Sequence, residues 1–179
     1  MATTKVEFAG KTYKKDEEFV FVDGASITNV APLAALTKLS SLVLKGCREL
    51  RDIAPLARCR RIAELAIEDT PVENISALAA MRDMYTLSLT RTRVEDLTPL
   101  SDMPKLTHLF LDGSRVRDLR ALANASSLRE INLKDTPVTD LSPLVPLPSL
   151  AVVIVGGPAL GDEAIDAFRS ARPDCKIER

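Results

Sequence analysis

The sequence predicts an α/β fold assembled from repeated units, each a short strand, a turn and a short helical or 3-10 segment. Three observations lead there. Apolar residues recur in one frame from Leu39, Ile62, Met84, Leu106, Leu128 and Leu150, a first step of 23 residues followed by four of 22. Self-similarity at a period of 20 to 50 residues marks a repeat architecture. Inside each unit the frame residue is followed three and five places on by further apolar residues: Leu42 and Leu44, Leu65 and Ile67, Leu87 and Leu89, Leu109 and Leu111, Ile131 and Leu133. Each pair alternates at period 2, so it points to one face of a short strand while the residue between points to the other. The second half of the unit reads Asp52-Ile53-Ala54-Pro55-Leu56, Asp96-Leu97-Thr98-Pro99-Leu100 and Asp140-Leu141-Ser142-Pro143-Leu144. Asp is a good N-cap, and Pro is tolerated in the first turn, where no intrahelical N–H bond is needed. Asn29 and Asn74 keep that capping chemistry in other units, while Ala77 and Ala121 stand where Pro does elsewhere.

Taken in chain order, the first element is a hairpin or extended edge in which Val6-Glu7-Phe8 and Lys11-Thr12-Tyr13 flank Ala9-Gly10. Phe19-Val20-Phe21-Val22, closed by Asp23-Gly24, then opens a degenerate first unit running through Ile27, Val30, Leu33 and Leu36. Five regular units follow. The one from Leu39 is a residue longer than the rest, with Cys47-Arg48-Glu49-Leu50 in its turn, which predicts a local bulge there. Gly156-Gly157-Pro158 breaks the frame. After it Gly161-Asp162 opens a helix whose Ala164, Ile165, Phe168 and Ala171 share a face, Pro173 stops it, and Cys175-Lys176-Ile177 reads as a last short strand. Stacked repeats expose their core at both ends, so residues 1–16 are expected to cap one end and residues 156–179 the other, with the repeats spanning 17–155.

The pattern L-x-x-L-x-L-x-x-[TS]-x-V-x-D-L-x-P-L resembles the 22-residue leucine-rich repeat of internalin-like bacterial proteins. The resemblance implies a right-handed solenoid with a concave parallel β-sheet and short helical or 3-10 segments on the convex side, a scaffold that similar proteins use to hold other proteins. It also implies an Asn in the turn after each strand, where this chain has Cys47, Thr70, Thr92, Ser114 and Thr136. A hydroxyl carries fewer donors than an amide, so a less complete polar ladder is expected.

Composition narrows the function. The 179 residues carry 24 Lys and Arg against 25 Asp and Glu, a net charge of −1, which does not supply the basic field of a general nucleic-acid binder. No uninterrupted apolar run approaches the ~20 residues that span a bilayer, so no membrane contact is expected. The start lacks a secretory profile, and three cysteines, an odd number without C-x-x-C, fit reducing conditions. A cytoplasmic monomer is the expectation. Aromatic residues make up only 4% of the chain and Trp is absent, so an outward aromatic is informative.

If the strands stack in register, three rows of side chains cross the concave face. One runs Ser41, Glu64, Thr86, His108, Glu130, Val152; the next Val43, Ala66, Ser88, Phe110, Asn132, Ile154; the third Lys45, Glu68, Thr90, Asp112, Lys134, Gly156. Tyr85, Thr107 and Arg129 flank them, and Asp69, Arg91, Arg93, Arg115 and Asp135 lie at the strand exits. Phe110 is the leading candidate anchor, because alternation sends it outward between Leu109 and Leu111 and aromatic and Arg residues dominate interface energetics. The expected partner-binding set is Glu64, Glu68, Tyr85, Ser88, Arg91, His108, Phe110, Asp112, Arg129, Asn132 and Lys134.

No catalysis, metal or cofactor is expected. His108 is the only histidine, and although Glu130 and Ser88 lie near it in the rows, an open sheet lacks the oxyanion donors and shielded cleft that a triad needs. Gly156-Gly157 has no phosphate-binding frame around it. Arg58, Arg60 and Arg61 form a basic cluster on the helical side, read as a solvated face with an acidic-partner or RNA contact as the alternative. The reading is a protein-binding module with an unidentified protein partner. A stoichiometric inhibitor or immunity-type regulator of a toxin or enzyme is the alternative, followed by a self-associating structural protein or an enzyme.

Overall fold

The computed structural model describes residues 5–179; the first four residues of the expected N-terminal segment lie outside the described residues. β1 (Lys5–Phe8) and β2 (Lys11–Lys14) pair antiparallel as a hairpin. Its two turn residues, Ala9 and Gly10, both have positive φ, as the two-residue turns that match strand twist require. The hairpin drives Val6 and Phe8 into the core.

All remaining strands join one sheet. β3 (Phe19–Asp23), β4 (Ser41–Lys45), β5 (Glu64–Glu68), β6 (Thr86–Ser88), β7 (His108–Phe110), β8 (Glu130–Asn132), β9 (Val152–Ile154) and β10 (Lys176–Glu178) lie side by side in chain order, every neighbour parallel. Parallel neighbours need a long return path. Each return from β3 to β9 passes through one 3-10 segment: η1 (Ala31–Ala35), η2 (Ala54–Arg58), η3 (Ser76–Ala80), η4 (Thr98–Leu100), η5 (Arg120–Leu122) and η6 (Ser142–Leu144). Six stacked returns of this kind form a leucine-rich repeat solenoid, with α1 (Asp162–Ala171) making the last crossover from β9 to β10.

The core lies between the sheet and the 3-10 row. From the strands and, in Leu111, the residue just past β7 come Leu42, Leu44, Leu65, Ile67, Leu87, Leu109, Leu111 and Ile131, and from the returns Leu33, Leu56, Leu78, Leu100, Leu122 and Leu144, none more than 1% exposed. Burying each such side chain contributes about 1.5–3 kcal/mol. Because each repeat packs chiefly on its neighbours, the structure is held together nearly one-dimensionally.

The turns show how the capping residues act. Asn29, Asp52, Asn74, Asp96, Asp118 and Asp140 each accept, through Oδ1, the backbone N–H two residues on, at 2.8–2.9 Å. The N-cap expectation is therefore corrected by one residue. The N-cap positions are the apolar Val30, Ile53, Ile75, Leu97, Leu119 and Leu141, which make no side-chain cap bond because they point into the core. The acid or amide before each closes an Asx turn instead, and its acceptor serves the first N–H of the 3-10 segment. The extra residue of the longer unit is absorbed on the turn side, in a tight turn with Leu50 N donating to Cys47 O at 3.0 Å.

The hydroxyl row that replaces the expected Asn is incomplete. Thr92 and Thr136 each donate to the carbonyl three residues back, Leu89 and Leu133, at 2.7 Å, whereas the buried hydroxyls of Thr70 and Ser114 have no partner. The three cysteines are buried and free, and burial pushes each thiol above its ordinary pKa.

At the C-terminal end, α1 sets Ile165 and Phe168 in the core, and Arg172 follows it directly. The Arg172 guanidinium donates to the carbonyls of Val145, Leu147 and Leu150, tying this segment to the last repeat. No described helix is long and apolar enough to cross a membrane.

Candidate functional site

Strand pairing places the rows as the register predicts. Ser41, Glu64, Thr86, His108, Glu130 and Val152 are successive partners, as are Val43, Ala66, Ser88, Phe110, Asn132 and Ile154. Backbone bonds carry the third row beyond the strand ends, Asp69 N to Thr90 O, Arg91 N to Asp112 O, Gly113 N to Lys134 O and Asp135 N to Gly156 O, all 2.8–3.0 Å. This open face holds ten of the eleven candidate residues or their immediate edge neighbours, and Arg91 lies at the strand exit.

Two hydrogen-bonded groups meet side by side across four strands. Ser88 donates to Glu68 at 2.8 Å, Thr90 donates to Asp112 at 2.9 Å, and the two hydroxyls lie 3.0 Å apart. Asn132 adds a donor to Asp112 at 3.2 Å, and its own carbonyl accepts Lys134 N at 3.1 Å. Ser88 and Thr90 are themselves buried, 6% and 8% exposed. Ser88, expected to touch a partner, lies low on the face with its hydroxyl turned to Glu68.

Arg91 sits where the backbone turns left-handed, one of a column with Asp69 and Asp135 among the non-glycine residues and Gly24, Gly46, Gly113 and Gly157 among the glycines. Its guanidinium pairs with Asp69 through two bonds, the second at 2.7 Å, and approaches Asp112 at 3.9 Å. That hydrogen bonding holds the Asp69 carboxyl below, and the Arg91 guanidinium above, their ordinary pKa values. Beside this pair, Lys45, Arg48, Thr70 and Arg93 help to line a hollow of about 520 Å³ at the strand exits.

Tyr85 is 41% exposed and its hydroxyl donates to Glu64, which raises the phenol's pKa. The Thr107 hydroxyl lies 2.8 Å from both Tyr85 O and His108 Nδ1, within hydrogen-bond distance of each. Ser88 is turned to Glu68 and Thr90 rather than to His108, so no serine–histidine pair forms. Among the described residues no three His, Cys, Asp or Glu are grouped to hold a metal ion. Arg129, exposed beside Thr107, and Lys134 make no ion pair among the described residues.

Two residues of the face escaped the sequence reading. Phe19 and Phe21, 53% and 44% exposed, pair with Ser41 and Val43 and so extend the first two rows onto β3. Their signal was present in the alternation with buried Val20 and Val22, but an apolar run on both faces conceals which face looks out. Together with Phe110, half-buried on β7, they give the face aromatic groups near both ends of a shallow notch of about 350 Å³ over Ala66.

No protein-family model matches the sequence. No curated protein is similar to it by sequence comparison. Solved structures are similar. An internalin C2 from Listeria monocytogenes shares 33% identity over 75% of this chain and 59% of its own, with a TM-score of 0.72. An internalin, inlF, from the same species shares 22% identity over 94% of this chain and 57% of its own at a TM-score of 0.68. A leucine-rich repeat protein of Leptospira interrogans superposes at a TM-score of 0.79 with 15% identity, over 87% of this chain and 40% of its own. The chain thus spans somewhat under two thirds of the internalins it matches. With the repeating frame and the single parallel sheet, these likenesses identify the chain as a leucine-rich repeat protein of the kind found in bacteria.

Proposed function

We propose that the chain is a protein-interaction module that binds a protein partner on the open, concave face of its sheet. The observation that carries this reading is the placement of the scarce aromatic residues. Phe19, Phe21 and Tyr85 are exposed and Phe110 half-exposed on one face, amid mixed charge, while the alternate positions of the same strands are fully buried. Folding alone gives no reason to set apolar rings in water, and aromatic and Arg side chains are what interface cores enrich. The likeness to internalins supports the same general role. Glu64, Glu68, His108, Asp112, Arg129, Asn132 and Lys134 then supply orientation. The test is affinity capture from the native cell's lysate with wild-type bait beside a Phe110→Asp, Tyr85→Ala bait. A partner retained by wild type alone is the expected result; a partner held equally by both baits would overturn the reading.

A further inference from the structure

The notch over Ala66 has a definite chemistry. Ala66 carries only a methyl group and Ser88 is drawn down toward Glu68, so β5 and β6 lack height between Val43 on β4 and Phe110 on β7. Three strand spacings make that gap about 14 Å wide. Glu64 and Glu68 stand two residues before and after Ala66 on the same strand, and therefore on the same face, one at each end of the floor.

Each carboxylate is held by one hydroxyl, Tyr85 on Glu64 and Ser88 on Glu68. A carboxylate has about four acceptor positions, so each is oriented without being used up. Neither is within ion-pair distance of a cation among the described residues; even Lys45, the register partner of Glu68, stands off. By contrast Asp69, Glu73, Asp83, Glu95 and Asp102 are all paired. The protein thus keeps two aimed carboxylates outside any ion pair at the ends of an apolar trough walled by a phenyl ring, with Arg91 acting on Glu68 only at longer range.

A purely apolar occupant would strip water from both carboxylates without replacing it, and an anion would be repelled. A guanidinium on an aliphatic stem meets every feature: the stem covers Ala66 and Val43, the weakly hydrated plane stacks on Phe110, and the N–H fork reaches a carboxylate. We propose that this notch receives an arginine side chain of the protein partner, one of Glu64 and Glu68 accepting its N–H fork while the other adds to the negative field around it; the assignment rests on the sheet face being the binding surface.

The test is amide NMR of the ¹⁵N-labelled protein titrated with n-butylguanidinium chloride and with its neutral isostere n-butylurea at matched ionic strength. Saturable shifts centred on Ala66, Ser88 and Phe110 are expected from the guanidinium and not from the urea. Glu64→Gln and Glu68→Gln, which preserve shape, should each weaken binding about three- to fivefold, the range of an exposed charge pair. Equal shifts from both compounds, an unchanged titration in both variants, or no saturable shift would overturn the assignment. The captured partner separates the two claims. If Phe110→Asp loses it while the Glu64→Gln, Glu68→Gln double variant keeps it, the arginine fails and the face stands. If Phe110→Asp keeps it, the face itself fails.

Discussion

Arg172 is the residue on which the C-terminal end turns, and replacing it by Met tests that directly. The Arg172 side chain is only 11% exposed, and its guanidinium donates to Leu147 O at 2.7 Å, Leu150 O at 2.9 Å and Val145 O at 3.1 Å. After exchange with water an intramolecular hydrogen bond contributes a net of about 0.5–1.5 kcal/mol, and roughly 1 kcal/mol is taken for each of these three, which share one guanidinium. Asp174, 65% exposed, adds little because solvent screens the pair. Arg172→Met, which keeps the packed stem, should therefore cost about 3 kcal/mol. With a urea m-value near 2 kcal/mol/M, the midpoint falls by about 1.5 M. Because the repeats are coupled mainly to their neighbours, the damage begins locally. Hydrogen exchange should quicken first at Lys176 and Val155, whose amides bond β9 and β10 together, while β4 and β5 amides stay protected. An Arg172→Met protein within about 0.5 kcal/mol of wild type, or one whose exchange rises evenly along the chain, would refute the reasoning.

Other perturbations have definite signs. Thr70→Val removes a buried hydroxyl that has no partner and should be neutral or stabilising, whereas Thr92→Val deletes the bond to Leu89 O and should cost about 1 kcal/mol; equal effects in urea melts would contradict the unequal ladder. Gly113 has φ +66°, and a Cβ there would lie 2.9 Å from Arg91 Cγ, so Gly113→Ala should destabilise by about 1–2 kcal/mol. At the equivalent place one repeat on, exposed Asp135 has φ +54°, and Asp135→Gly should stabilise by up to about 1 kcal/mol; the two changes moving the melting temperature the same way would sink this. The side chain and backbone N–H of Arg120 bond the Asp118 carboxylate and lower its pKa from 3.8 to about 2. A depressed carboxyl stabilises the fold above its unfolded value and loses that contribution as pH falls from about 4 toward 2. Carboxyl NMR titration should show Asp118 in that low range in the wild type and nearer 3.8 in Arg120→Ala.

The fold was legible because the repeat multiplies a weak local signal. One L-x-L pair is consistent with many structures, but five in one frame fix strand position, register and the partners across the sheet, so the rows emerged residue by residue. The turn was read one residue out because Asp and Asn serve both N-caps and Asx turns. Which of the two forms depends on whether the next residue is drawn into the core, as Ile53 and Leu97 are. The face was only partly visible. Phe110 showed itself by standing between two leucines, whereas Phe19 and Phe21 were hidden in an apolar run. The burial of Ser88, the aim of Glu68 and the reach of Arg172 depend on side-chain contacts between residues about twenty or more positions apart, which no local pattern carries.

The measurement that bears most directly on the central claim is calorimetric titration of the captured partner against three forms of the protein: wild type, Phe110→Asp on the sheet face and Arg60→Glu on the 3-10 side. The account predicts that Phe110→Asp weakens binding by about 30-fold or more, the equivalent of a hot spot of about 2 kcal/mol, while Arg60→Glu leaves it unchanged. Loss of affinity with Arg60→Glu and none with Phe110→Asp would place the partner on the opposite side of the solenoid and contradict the account.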